Sequence, residues 1–181
     1  MDDMDAFEVF DQQEPYVTRD SILQLFEEVD KDLNGQPLIE VFVVGYSAIV
    51  LARKNNRGSN DVDIIPSRFS RVFSDHGLEV FDEHYFYLPK DYKTRAKAVE
   101  REYRSLLVKA VDPHDIWYTK LAAFRSKDKV DMIQMIRDKV VDPLVLDTMF
   151  ANWNKHWFND SPELEANYAE VRYHDSETPN P

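Results

Sequence analysis

A chain of 181 residues is long enough to bury a real core as one domain, and its 43% hydrophobic content fits a globular protein. It has no cysteine, which excludes disulfides, thiolate metal sites and cysteine nucleophiles. The net charge of −12 argues against indiscriminate nucleic-acid binding, which depends on lysine and arginine neutralising phosphates, and no apolar run is long enough to span a bilayer.

Residues 1 to 17 carry Asp2, Asp3, Asp5, Glu8, Asp11 and Glu14 with no basic residue, and no clear period. They are expected to form an arm or loose leader. They lack the basic-then-apolar order of a secretory signal, so a cytoplasmic location is expected. Thr18-Arg19-Asp20 opens a helix whose apolar positions Ile22, Leu25, Phe26 and Val29 follow the helical repeat. Asn34-Gly35-Gln36-Pro37 ends it. Leu38 to Val44 reads as a buried strand, Gly45-Tyr46-Ser47 as a tight turn, and Ala48 to Arg53 as a short helix. Asp61-Val62-Asp63-Ile64-Ile65 is a second strand, stopped by Pro66.

Further on, Ser67 is a candidate N-cap for a helix carrying Phe69, Val72 and Phe73, closed by Gly77. Leu78 to Tyr87 reads as a strand or hairpin arm, Asp91 to Tyr103 as a helix, and Leu106 to Val111 as another strand. After Asp112-Pro113 the pattern is helical, with Asp115 as a candidate cap. One helix carries Trp117, Leu121 and Phe124; a second carries Val130, Ile133 and Ile136. A third carries Leu146, Met149, Phe150, Trp153 and Trp157, whose aromatic spacing reads as core. A short last helix follows Ser161-Pro162. The result is an α/β (α+β) chain: a short mixed sheet flanked by helices, then a helical C-terminal half. The expected division is leader 1–17, α/β core 18–112, helical part 113–175 and a disordered tail 176–181.

The chemistry concentrates between Gly45 and Asp63. In a strand alternate side chains share a face, so Asp61 and Asp63 point one way while Val62 and Ile64 enter the core. Two carboxylates that close repel unless a cation sits between them, and Mg²⁺ (or Mn²⁺) is the usual partner of paired oxygens beside a phosphate. A glycine bend leading into a helix offers backbone N–H groups to phosphate oxygens, and Ser47 offers a hydroxyl. Against this, Asp-Val-Asp also suits a solvated edge strand, and Asn55-Asn56-Arg57-Gly58 suits an ordinary surface turn. The five histidines (His76, His84, His114, His156, His174) lack metal-ligand spacing, so zinc is not expected.

Gly45-Tyr46-Ser47-Ala48, Arg57 to Asp63, Lys120-Leu121-Ala122-Ala123-Phe124-Arg125 and Lys127-Asp128-Lys129-Val130-Asp131, together with Tyr87 to Arg95, fall in a recognisable order. That order resembles the nucleotidyltransferase fold of polymerase-beta-like enzymes, and more closely the small bacterial AbiEii-like nucleotidyltransferase toxin-related proteins, over about residues 20 to 140. The resemblance implies a nucleotidyltransferase-like sheet and transfer of a nucleotide from a nucleoside triphosphate to an acceptor hydroxyl. It implies Asp61 and Asp63 as metal ligands, with Gly45, Ser47, Arg57, Ser59 and Lys120 towards the nucleotide. Lys120 sits near the apolar stripe of its helix, where a lysine either snorkels out or meets a carboxylate or phosphate. Asp131, or else Asp128, is the implied third catalytic acid, with Asp82 and Asp112 as competitors. The implied acceptor is an RNA such as a tRNA end, or a protein side chain, and the implied partner is an antitoxin protein. No membrane is expected.

Tyr46 departs from the pattern, which has glycine or serine there. Its ring either crowds the phosphate path or turns away to stack on a base. An alternative reading is therefore a catalytically inactive nucleotidyltransferase-fold module that binds nucleotide or a protein partner. A hydrolase or glycosyltransferase using Asp-x-Asp for a metal has no other support. The basic run Lys90, Lys93, Arg95, Lys97, Arg101, Arg104 and Lys109 is either a solvated helix face or a landing surface for an anionic substrate.

Overall fold

The computed structural model describes residues 17–52, 61–153 and 162–176. Helix α1 (Arg19–Leu33) starts where expected, because the Thr18 side chain accepts from the Ser21 N–H while Ser21 accepts from the Thr18 N–H. It stops at Asn34, in the left-handed region at φ 46°. Its inner face is Ile22, Leu23, Phe26, Val29 and Leu33.

Five strands form one mixed sheet in the order β3-β2-β1-β5-β4. They are β1 (Ile39–Val43), β2 (Asp63–Pro66), β3 (Glu79–Val80), β4 (Lys97–Ala98) and β5 (Leu106–Ala110). β1 runs antiparallel to β2 and parallel to β5; β2 runs parallel to β3, and β4 antiparallel to β5. Residues paired in register share a face, so the sheet has two distinct sides. Ile39, Val41, Val43, Ile64, Leu106, Val108 and Ala110 form the buried side. The other side carries Glu40, Phe42, Asp63, Ile65, Lys109 and Glu79. It is partly covered by the segment around α4 (Tyr92–Arg95), whose buried Tyr92 meets Phe42 edge to face at 5.4 Å.

The remaining helices are α2 (Gly45–Ala52), α3 (Arg71–Asp75), α5 (Pro113–Ala123), α6 (Ser126–Arg137), α7 (Pro143–Trp153) and α8 (Pro162–Ser176). α5 is central: Trp117 is fully buried and donates to the Met132 carbonyl at 3.2 Å, and the Tyr118 hydroxyl donates to the Leu146 carbonyl at 2.6 Å. Among the described residues no helix is long and apolar enough to cross a membrane.

Several expectations need correction. The turn at Gly45-Tyr46-Ser47 is already the first turn of α2. Ser67 does not cap a helix; it exchanges hydrogen bonds with the Glu40 backbone and prolongs the β1–β2 ladder, so α3 starts only after Ser70. Phe69 is consequently exposed. Leu78 to Tyr87 is a strand only at Glu79–Val80, followed by a 3₁₀ turn at Glu83–Tyr85. The Asp91 to Tyr103 helix shrinks to the four residues of α4, because Lys97 and Ala98 leave it to pair with the edge of β5. The basic run is thus no helix face. Lys93 meets Glu83 at 2.8 Å, Arg101 meets Glu27 at 3.4 Å and Lys109 meets Glu40 at 2.6 Å.

Asp115 is not the cap of α5. Asp112 is, accepting from the His114 N–H, while Asp115 is fully buried and receives Nε and Nη2 of Arg95 at 3.0 and 2.7 Å. On α6 the buried apolar residues are Met132, Met135 and Ile136, and Val130 faces solvent. α8 is 15 residues long rather than short, and packs its Tyr168 ring on Phe150 at 3.9 Å. The expectation that Trp153 and Trp157 are core falls outside the described side chains, as do residues 1–16 of the leader and 177–181 of the tail.

Candidate active site

The glycine bend and the acid strand meet because β1 and β2 are antiparallel neighbours. The Val44 N–H donates to the Asp63 carbonyl at 2.9 Å, which sets the end of β1 against the start of β2. Ser47 is fully buried and its hydroxyl donates to the Asp61 carbonyl at 3.0 Å. That bond ties the first turn of α2 to the acid segment. Gly45 adopts φ +63°, and a β-carbon there would lie 2.5 Å from Asp63 Oδ2. Only glycine suits both the backbone twist and the carboxylate packed against it.

The expected strand Asp61–Ile65 is shifted. β2 begins at Asp63 and takes in Pro66, which pairs with Val41, while Asp61 lies in the bend just before it. The fold of that bend, rather than a strand period, brings the two carboxylates together. A third carboxylate joins them. Glu79 pairs in register with Asp63 across the parallel β2–β3 ladder, which puts both side chains on one face. One oxygen each from Asp61, Asp63 and Glu79 lies within 4.8 Å of the others. Burial, then the negative charges of Asp61 and Glu79, push the Asp63 carboxyl from its ordinary 3.8 up to about 7. A site that resists ionisation in this way is one that a cation relieves. Three clustered carboxylate oxygens also suit a hard divalent ion such as Mg²⁺ or Mn²⁺.

The structure places the other expected residues as follows. Tyr46 is half-buried and packs against the core. Arg57 and Ser59 lie outside the described residues. The Lys120 ammonium donates to Asp131 at 2.7 Å and lies 3.6 Å from Asp128. Asp128 is buried and also takes the Arg125 guanidinium at 2.7 Å. Burial works to raise the Asp128 carboxyl, but Arg125 and Lys120 hold it below the usual range. Lys120, Asp128 and Asp131 therefore form one ion-paired corner between α5 and α6. Asp112 is bound to His114, whose Nδ1 lies 2.7 Å from its carboxylate, and Asp82 caps the 3₁₀ turn by accepting from the His84 N–H. Among the described residues, the acid gathered with Asp61 and Asp63 is Glu79, which the sequence reading missed. Its only signal was a place on the strand after the α3 crossover, in a segment whose pairing is non-local.

No curated protein and no solved structure shows a significant match to the chain. A family profile described as "Nucleotidyltransferase of unknown function (DUF6036)" does match, over residues 20–178, a span that holds the glycine bend, all three clustered acids and the Lys120 corner. With nearly the whole chain inside that match, the protein belongs to this nucleotidyltransferase family of unknown function.

Proposed function

We propose that the chain transfers a nucleotide from a nucleoside triphosphate to an acceptor hydroxyl, with Asp61, Asp63 and Glu79 holding Mg²⁺ or Mn²⁺. The observation that supports this reading is the three-carboxylate cluster within 4.8 Å, packed on a glycine that leaves room for it. A divalent ion bound there would neutralise charge on the triphosphate and orient the attacking hydroxyl.

The chain's own residues supply the frame. Buried Val62 and Ile64 anchor the segment that carries the two aspartates, and the Ser47 hydroxyl ties Asp61 to the first turn of α2. The backbone N–H groups at the start of α2, beside Gly45, would serve as phosphate donors. In transfer, the acceptor oxygen forms a bond to the α-phosphorus while the bond to the β-phosphate oxygen breaks. Pyrophosphate leaves, and the hydroxyl proton passes to a carboxylate of the cluster. Glu79 takes the third-acid role in this proposal, with Asp131 serving as the partner that positions Lys120. Arg57, Ser59 and Lys120 remain on the nucleotide side of the reading. The expected Ser47 contact gives way, since Ser47 is fully buried with its hydroxyl on the Asp61 carbonyl and acts through the acid segment.

The motif resemblance to AbiEii-like proteins supports an RNA or tRNA end, or a protein side chain, as acceptor. It also supports a toxin that is paired with an antitoxin. The test is incorporation of labelled nucleotide into lysate macromolecules by wild type, Asp63→Asn and Glu79→Gln. Loss of more than about 100-fold is expected for Asp63→Asn, beyond the range for residues that only orient a metal ligand. Unchanged incorporation by both variants defeats the reading. Nucleotide binding without any turnover in the wild type would instead favour an inactive binding module.

A further inference from the structure

The acid face of the sheet does not end at Glu79. The Phe81 N–H donates to the Ile64 carbonyl at 2.9 Å, so the β3 pairing extends one residue and Phe81 falls on the same side as Glu79. The two are about 6.6 Å apart along the strand, at about 3.3 Å per residue. Phe81 stacks on Tyr85 with ring centroids 4.6 Å apart and planes at 27°, and Phe86 meets both rings edge-on at 5.1 and 5.2 Å. Phe81 and Phe86 are half-buried and packed on the core, which makes the group rigid. Tyr85 is 66% exposed. With its inner face against Phe81, that exposure leaves its outer face open to solvent.

An exposed aromatic ring held on a packed base offers a preformed flat surface, so a stacking partner loses little ordering entropy in meeting it. A flat, exposed ring next to a polyphosphate-type site suits one kind of occupant. We propose that the Phe81–Tyr85–Phe86 cluster is a stacking platform for a nucleobase, with Tyr85 as the contact ring. The site's function reading supplies the two sources of such a base, the nucleoside triphosphate and a single-stranded acceptor end, and this inference rests on that reading for its neighbour. Stacking on an aromatic ring tolerates any base, because every base has a π-face.

The experiment compares Tyr85→Ala, Tyr85→Trp and wild type, with equal thermal melting as the check that the exposed substitution leaves the fold intact. Three probes are titrated: ATP with Mg²⁺, tripolyphosphate with Mg²⁺, and a fluorescein-labelled oligoadenylate without divalent ions. Tyr85→Ala is expected to weaken a base-bearing probe by about tenfold, Tyr85→Trp to restore it, and tripolyphosphate to bind all three proteins alike. A loss confined to ATP assigns the platform to the nucleotide; a loss confined to oligoadenylate assigns it to the acceptor. The inference is overturned if Tyr85→Ala binds both base-bearing probes like wild type, if tripolyphosphate weakens in parallel, or if wild type binds neither base-bearing probe. Failure of the transfer reading shows separately, as unchanged incorporation by Asp63→Asn and Glu79→Gln.

Discussion

Asp63 Oδ2 occupies the space that a β-carbon on Gly45 would fill, at a distance of 2.5 Å. The glycine that opens α2 and the carboxylate at the start of β2 are therefore one structural unit. Gly45 serves the acid as much as it serves the turn.

Gly45→Ala separates those roles. Alanine at φ +63° costs about 1–2 kcal/mol from the backbone alone. The clashing atom is the end of a side chain, which can swing aside, so the added stability loss should be small. The displaced Asp63 oxygen should nevertheless cost most of the Mn²⁺ affinity. Urea melts and Mn²⁺ titration together check this; a variant as destabilised as expected but with wild-type Mn²⁺ affinity would detach Gly45 from the site.

The raised carboxyl of Asp63 makes a signed prediction. Its folded value, about 7, lies above its ordinary 3.8, so the fold favours the protonated form. The stability it contributes is fully present below pH 3.8 and is lost as pH rises towards 7. Metal-free wild type should therefore lose stability across that window, while Asp63→Asn, which stays neutral, should lose less and be the more stable protein at pH 8. Adding Mn²⁺ at pH 8 should raise the melting temperature of wild type and leave Asp63→Asn unmoved, and the wild-type gain should fade towards pH 5. Parallel melting curves for the two proteins with and without Mn²⁺ would contradict this.

Arg95 carries a structural prediction. It grips the fully buried Asp115 through Nε and Nη2 and reaches Asp91 at 2.5 Å through Nη1. Arg95→Ala leaves a buried carboxylate without its partner and should cost about 3–5 kcal/mol in a denaturant melt. Arg95→Lys should recover only part, since an ammonium cannot make the two-pronged contact. The double variant Arg95→Met with Asp115→Leu should be markedly more stable than Arg95→Ala. If it is not, burial of an unpaired charge is not what the single change exposes.

The parts of the fold that could be read from sequence are those whose signal is local. Thr18-Arg19-Asp20 announces the start of α1, and Asp112-Pro113 does the same for α5. The Asp61–Asp63 pair was legible as two acids beside a glycine bend. The two-residue strand period expected to orient them applies only from Asp63 onward, because Asp61 lies in the bend before β2. Glu79 was not, because its place beside Asp63 depends on the β2–β3 pairing across the α3 crossover, which no local pattern encodes. The segment from Asp91 to Tyr103 misled for a related reason. Its charges suit a solvated helix, but Arg95 is drawn to a buried acid and Lys97–Ala98 to the open edge of β5. On α6 the rows Val130-Ile133-Ile136 and Met132-Met135-Ile136 fit a helix nearly equally well. Contact with α5 and α8 decides for the methionines.

Lys120 offers the sharpest division between a structural and a nucleotide-binding role. Its ammonium bonds Asp131 at 2.7 Å, with both side chains mostly buried, so Lys120→Met strands a carboxylate and should cost about 1–3 kcal/mol of stability. Adding Asp131→Asn removes the stranded charge, and the double variant should be more stable than Lys120→Met alone. Binding of tripolyphosphate with Mg²⁺ then tells the two roles apart. If Lys120 reaches the phosphates, affinity should fall in both Lys120→Met and the double variant, although stability returns in the second. If affinity returns with stability, the lysine serves the α5–α6 corner alone, and the phosphates are held by the first turn of α2 and the carboxylate-bound cation.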